Sequence, residues 1–143
     1  MAARSTVYSA DEVTCMVGGL NIESGRGDDE FLKIEQQEDD FSYKAGIDGE
    51  GVFSQNKNTY TLVTITLLQT SAGNAILSGL HTASKLAGGL QVPVYVEDRK
   101  GSSMLISAAG MITKMPDEAW AKEAGVTVWT IGVHQPERIV GGH

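Results

Sequence analysis

One uninterrupted run, residues 43–89, constrains this chain more than any other. A glycine- and asparagine-rich loop, a strand alternating threonine with aliphatic residues, and an amphipathic helix follow one another directly. In the strand, Thr61, Val63, Ile65 and Leu67 share one face and Tyr60, Leu62, Thr64, Thr66 and Leu68 the other, the period of two that extended chain imposes. Both faces are partly apolar, so both are expected to be covered along part of their length. Ser71 then offers a hydroxyl to an unpaired amide of the first helical turn. Ile76, Leu80, Ala83 and Ala87 recur at helical spacing with Leu77 alongside, and Gly88-Gly89 supplies a stop. The run carries one histidine, no cysteine and no clustered metal ligands. A strand that must pair and a helix that must pack describe a building block before they describe a catalyst.

The flanking sequence extends the β-rich pattern. Seventeen glycines, three prolines and short runs of Val, Ile, Thr and Tyr predict a mainly β domain with one principal helix. A first strand is expected over 12–23, with Gly18-Gly19 as a bulge or bend, then a turn at 24–30 and a second strand at 31–37. The Arg26-Gly27-Asp28 triplet reads as turn composition rather than an adhesion motif. A third strand over 41–47 sets Phe41, Tyr43, Ala45 and Ile47 against Ser42, Lys44, Gly46 and Asp48. Asp48-Gly49 is a hairpin signal, but the next clear strand begins near Asn58, so 47–58 reads as an extended loop. Beyond the helix, strands are predicted at 92–97 and 102–114, joined at 98–101. On the second of these, Met104, Ile106, Ala108, Gly110 and Ile112 are expected to pack inward. A helical turn anchored by Trp120 is expected within 116–125, and a last strand over 126–134 precedes a mobile glycine-rich end.

Length and composition bound the rest. A chain of 143 residues fits one domain, 1–143, burying roughly two-thirds of its unfolded surface. Cys15, alone in an apolar run, reads as a small buried hydrophobe. The N-terminal residues lack the apolar core of a signal peptide, and no window approaches the ~20 apolar residues of a membrane helix, so a soluble product without membrane anchor is expected. A formal charge of −7 argues against gripping a nucleic-acid backbone. The acidic clusters Asp28-Asp29-Glu30, Glu38-Asp39-Asp40 and Asp48/Glu50 read either as solvated turns or, in many copies around a channel, as a wall repelling polyanions.

Motifs for catalysis do not accumulate. There is no G-x-S-x-G element, no H-E-x-x-H and no paired cysteines, and Asp48-Gly49-Glu50 lacks a calcium-loop ligand ladder. Gly46-x-x-Gly49-x-Gly51 has the wrong spacing for a phosphate cradle. His81 has no second ligand three or four residues away. No enzyme activity and no cofactor are expected.

With these elements placed, the chain resembles tail tube proteins of contractile-tailed bacteriophages. The resemblance rests on Tyr43-Lys44-Ala45-Gly46-Ile47-Asp48-Gly49-Glu50, Ser54-Gln55-Asn56-Lys57-Asn58, the run Thr64 to Ser71, Leu77-Ser78-Gly79-Leu80-His81 and Glu123-Ala124-Gly125 before the strand containing Trp129, over roughly 13–133. It implies an α+β, mainly β fold, an antiparallel β-sandwich or barrel with one flanking helix. It further implies hexameric rings stacked into a hollow conduit for DNA ejection, with sheath, baseplate and tape-measure proteins as partners and DNA passing without specific binding. The product would be made in the host cytoplasm and end in the virion tail. On this reading the polar loop bearing Asp48, Gly49, Glu50, Ser54, Gln55, Asn56, Lys57 and Asn58 is expected to contact the next ring, the alternative being a mobile surface loop. Lys44, Thr64 and Thr66 are candidates for the inner sheet. The alternatives are a type VI secretion tube protein, a monomeric β-sandwich ligand-binding module and, third, an enzyme built on His81 or His134.

Overall fold

The computed structural model describes residues 13–22, 31–99 and 101–141. Within them the elements run β1 (Val13–Val17), β2 (Leu20–Asn21), β3 (Leu32–Gln36), β4 (Phe41–Ala45), β5 (Gly51–Gln55), β6 (Tyr60–Leu68), α1 (Gly73–Leu86), β7 (Val92–Asp98), β8 (Met104–Lys114), β9 (Val126–His134) and β10 (Glu137–Ile139). Every pairing is antiparallel. One sheet has the order β2-β1-β7-β8-β9-β6-β3, with β10 also on β8, and β4-β5 stands apart as a two-stranded ribbon. The mainly β, one-helix architecture is as expected; a closed barrel is not, because the described strand path ends at β2 and β3 without joining them. The sheet curls instead. A Cβ built on Gly73 would lie 2.9 Å from Leu67 Cδ1 and 3.1 Å from Ile22 Cγ2, so side chains from both ends of the path meet under the helix start.

The core follows from strand periodicity. On β6, Thr61, Val63, Ile65 and Leu67 are buried and their neighbours face outward. Across the ladder Val63 opposes Ile131, Ile65 opposes Trp129 and Leu67 opposes Thr127. Cys15, Val17, Val94, Val96 and Leu105 complete the same cluster from the far half of the sheet. Each fully buried aliphatic or aromatic side chain contributes roughly 1.5–3 kcal/mol of transfer free energy.

Phase errors in the sequence reading have local causes. On β8, Leu105 and Ser107 are buried, then Gly110 and Ile112, while Ile106 and Ala108 face out. The alternation changes phase because Val92 pairs Gly110 but Val94 pairs Ser107, leaving an extra residue on β8. Ser107 Oγ organises this bulge, accepting from the Ala109 amide at 3.2 Å and donating to the His134 carbonyl at 2.9 Å. The strand expected over 12–23 is a tight hairpin, since Gly18 and Gly19 have φ of 63° and 80°, a left-handed pair that turns β1 directly into β2. Beyond β9, Gln135 (φ 44°) turns the chain so that β10 pairs β8, where a mobile end was expected. The expected turn at 24–30 lies outside the described residues.

The helix starts one residue later than expected, with Ala72 at its cap, yet Ser71 Oγ does accept the Gly73 amide at 3.1 Å. At the other end Gly89 N reaches Ser84 O at 2.8 Å, and Gly88 (φ 75°) and Gly89 (φ 118°) terminate the helix as read. The buried stripe is Gly73, Leu77 and Ser84, with Ile76 and Leu80 packed against the core. Ala83 and Ala87 are exposed, so the apolar face is rotated from the expected one. The rotation is set by a polar anchor, Asn74. Its Nδ2 donates to Leu68 O at 2.9 Å, and its Oδ1 accepts Trp129 Nε1–H at 2.9 Å and the Thr127 hydroxyl at 2.5 Å. His81 joins the helix flank to β8, with Nδ1 3.1 Å from Ile112 O. Among the described residues no helix is long and apolar enough to cross a membrane.

Candidate assembly surfaces

The first surface grows from the end of a ladder. β3 and β6 pair from Leu32 opposite Ile65 to Gln36 opposite Thr61, after which Gln37 N donates to Tyr60 O at 2.9 Å. Further out, Asn56 N donates to Asp40 O at 2.7 Å, and β4 and β5 pair from Phe41 opposite Gln55 to Ala45 opposite Gly51. The chain thus leaves on β3, runs out along β4 and returns along β5 into β6 as one long arm. Between those two bonds the return strand carries one more residue than the outgoing strand, which shifts the register and separates the ribbon from the sheet. At about 3.3 Å per extended residue the arm reaches up to roughly 35 Å beyond the body.

The arm's root and tip are both fixed by hydrogen bonds. At the root, Gln135 N donates to Thr59 O at 3.0 Å and Gln135 Nε2 donates to Lys57 O, while Asn56 Nδ2 donates to Glu38 Oε2 at 2.9 Å. At the tip, Gly46 N donates to Glu50 O at 2.7 Å and the Asp48 carboxylate accepts the Glu50 amide at 3.2 Å, with Gly49 at φ 90°. Tyr43 and Phe53 are directly opposed, their ring centroids 4.9 Å apart. The Tyr43 ring lies over Gly51, in the space that a Cβ there would take. Every residue of β4 and β5 is exposed, Phe53 at 73% and Ile47 completely. A two-stranded ribbon is marginal in water on its own, and one that leaves Phe41, Tyr43, Val52 and Phe53 solvated is built to be covered.

All eight residues expected to form the polar loop therefore lie on this arm: Asp48, Gly49 and Glu50 at its tip, Ser54 and Gln55 on β5, and Asn56, Lys57 and Asn58 at its root. The segment is a hairpin, not an open loop. The Asp48-Gly49 signal for it was present; Gly51 at the strand start and the unburied Val52-Phe53 pair disguised β5. Lys44 is separated from Thr64 and Thr66, since it sits on β4 while the two threonines face outward on β6. The residue that shares their face is Thr130, which opposes Thr64 and is followed across the sheet by Lys114, with Lys33 on the other side. Lys33 Nζ and Glu35 Oε1 are 2.5 Å apart on that face, and the lysine's hydrogen bond and charge hold the Glu35 carboxyl below its usual range. Carboxylates concentrate instead at the arm root, Glu38-Asp39-Asp40, and tip, Asp48 and Glu50. Asp28-Asp29-Glu30 falls outside the described residues.

The second surface lies at the other end of the same strands, where Leu68 of β6 opposes Val126 of β9. Residues 115–125 cross this end without forming a helix. Gln69 clamps them, its Nε2 donating to Ala119 O at 2.8 Å and its Oε1 accepting the Gly125 amide at 2.8 Å. Trp120, expected to anchor a helical turn, is 89% exposed. A hollow of about 360 Å³ on the outward face is lined by Lys114, Met115, Pro116, Asp117, Val126 and Val128, with Thr130 at its edge. A second, of about 200 Å³, opens on the helix side between Trp120, Asn74, Ser78 and Trp129.

The comparisons with known proteins agree with this geometry. A structural protein of Pseudomonas phage KPP10 is 24% identical over 140 residues, covering 93% of this chain and 81% of that protein. The anti-feeding prophage cap, a tube-terminating cap solved by cryo-electron microscopy, superposes with a TM-score of 0.63 over 97% of this chain and 95% of that one, at 12% identity, and so shares the fold. The sequence model of the bacteriophage PhiTE tail tube protein matches residues 1–141. The chain belongs to the PhiTE family of bacteriophage tail tube proteins.

Proposed function

We propose that this tail tube protein forms hexameric rings that stack into a hollow conduit for DNA ejection, and that it acts by assembly without enzymatic chemistry. The observation that carries the reading is the arm, an ordered hairpin with solvated aromatics and a hydrogen-bonded root that has no reason to exist in an isolated subunit. Residues 48–58 make the ring-to-ring contact. Within a ring, the sheet continues from one subunit to its neighbours through its end strands β2 and β3.

The outward face bearing Thr64, Thr66 and Thr130 lines the lumen, and its Leu68 end, from Val128 outward, meets the next ring. Short hydroxyl side chains and the self-neutralised Lys33–Glu35 pair leave its middle weakly charged, with Lys114 at its end taken up by the contact between rings, so phosphates cross it without being gripped. Lys44, on the arm, belongs to the contact between rings. Sheath, baseplate and tape-measure proteins are the other partners. The subunit is synthesised in the host cytoplasm and ends in the virion tail.

Negative-stain electron microscopy of the purified chain at rising concentration tests this reading. Hollow rings or tubes of uniform bore are expected. Compact monomers at every concentration, unchanged when baseplate and tape-measure partners are supplied, would overturn it.

A further inference from the structure

We infer that the arm of one copy docks on the shelf formed by residues 114–128 of a second copy, with Ile47 and the aromatic pair seated against Trp120, Val126 and Val128. This names the acceptor for the ring-to-ring contact and rests on the reading of the chain as a stacking tube subunit.

Position is the first argument. A contact that propagates head to tail needs donor and acceptor at opposite ends of the subunit, whereas a contact between identical patches closes a dimer and stops. The arm joins the body at the Tyr60 end of β6, and the shelf lies at the Leu68 end, nine residues and therefore about 30 Å along the strand. Both surfaces are held rigidly, the arm root by Gln135 and the shelf by Gln69. Binding thus orders little chain that is not already ordered.

Chemistry is the second. The arm presents Ile47, Tyr43 and Phe53 to solvent, and the shelf presents Trp120 beside hollows of about 360 and 200 Å³ floored by Val126, Val128 and Met115. Each is an unpartnered apolar surface of the size that interface anchors fill. Charges match in both signs. The arm carries Asp48 and Glu50 with Lys44, and the shelf carries Lys114, which has no carboxylate within ion-pair distance among the described residues, with Asp117. Tip-to-tip pairing of two arms would oppose like carboxylates.

Cysteine pairs distinguish these geometries. The full chain carrying Ile47→Cys with either Trp120→Cys or Val128→Cys is treated with a short bifunctional maleimide under conditions where the wild type forms tubes. The expected product is a ladder of covalent dimers, trimers and higher multimers, because each copy is both donor and acceptor. The single variants alone give no ladder, and a mixture of Ile47→Cys with Trp120→Cys chains stops at dimers. As an independent readout, Trp120→Ala is expected to raise the concentration at which tubes appear about tenfold. Tubes without a ladder from either double variant, dimers from Ile47→Cys alone, or an unchanged onset for Trp120→Ala would overturn the acceptor and leave the tube reading standing. Failure of the wild type to form rings or tubes would remove the tube reading and this inference with it.

Discussion

Trp129 and Phe53 sit on antiparallel strands of one chain, yet the structure treats them in opposite ways. Trp129 is almost wholly enclosed, its ring in the core and its indole N–H on Asn74. Phe53 lies on a ribbon whose residues are all exposed, its ring set against Tyr43 across the ladder. Burial decides what each residue can be for. The body encloses a full apolar core and leaves apolar side chains exposed mainly at its margins, while every residue of the arm's two strands is exposed. Such a division lets a subunit be stable before assembly and still keep a large free-energy gain for the moment of assembly.

The largest effect that would test this contrast belongs to the body. Trp129→Ala should destabilise the dilute monomer by about 3–5 kcal/mol, because it removes a buried aromatic opposite Ile65 and leaves a cavity under the helix start. Denaturant unfolding of the monomer checks it. A loss below about 1 kcal/mol would mean that the core is not centred where the geometry puts it.

Next comes the polar anchor. Asn74→Ala should cost about 2–3 kcal/mol in the same measurement, since the enclosed Trp129 N–H is left without its acceptor. The cost is smaller than for Trp129 because the Thr127 hydroxyl keeps a second acceptor, Leu67 O at 3.3 Å.

On the arm the sign of the comparison reverses. Phe53→Ser should change monomer stability by no more than about 0.5 kcal/mol, yet raise the onset concentration for tubes roughly tenfold, read by sedimentation and microscopy together. Equal effects on both readouts would break the distinction between body and arm.

The same contrast explains what could be read from the sequence. The β6 face, the ends of α1 and the strand at 126–134 were legible because burial imposes periodicity and caps demand particular residues. Three things were not. The phase change on β8 depends on a one-residue bulge held by Ser107, which leaves no pattern of its own. The rotation of α1 depends on Asn74 reaching across to Trp129, fifty-five residues away, a contact that only the fold creates. β5 was missed because an exposed strand has no buried face to alternate against, and Gly51, which lies beneath the Tyr43 ring, mimics a loop residue. Residues 48–58 stood out by their polarity and turn chemistry, but that polarity concealed the apolar partners, Phe41, Val52 and Phe53, that make the segment an arm. Trp120 failed the other way, since a tryptophan in a β-rich domain is expected inside.

The smallest effect concerns the Lys33–Glu35 pair, which is exposed like the arm but belongs to the body's outward face. Its hydrogen bond and charge lower the Glu35 pKa from the ordinary 4.5. A carboxyl that titrates lower in the folded state than in the unfolded state favours folding above the unfolded value, and the contribution disappears as pH falls through the folded one. Acidification from about 4.5 down through the lowered Glu35 pKa should therefore erase it, and solvent screening keeps the effect small. Lys33→Met should move the Glu35 titration upward in carboxyl-resolved NMR while leaving tube onset at neutral pH nearly unchanged. The substitution also removes a cation from the threonine face and leaves Glu35 unneutralised there, making that face more negative. If that face lines the lumen, the variant tubes should still exclude polyanions; if they instead assemble with a changed onset, the face lies between subunits and the lumen must be sought on another surface.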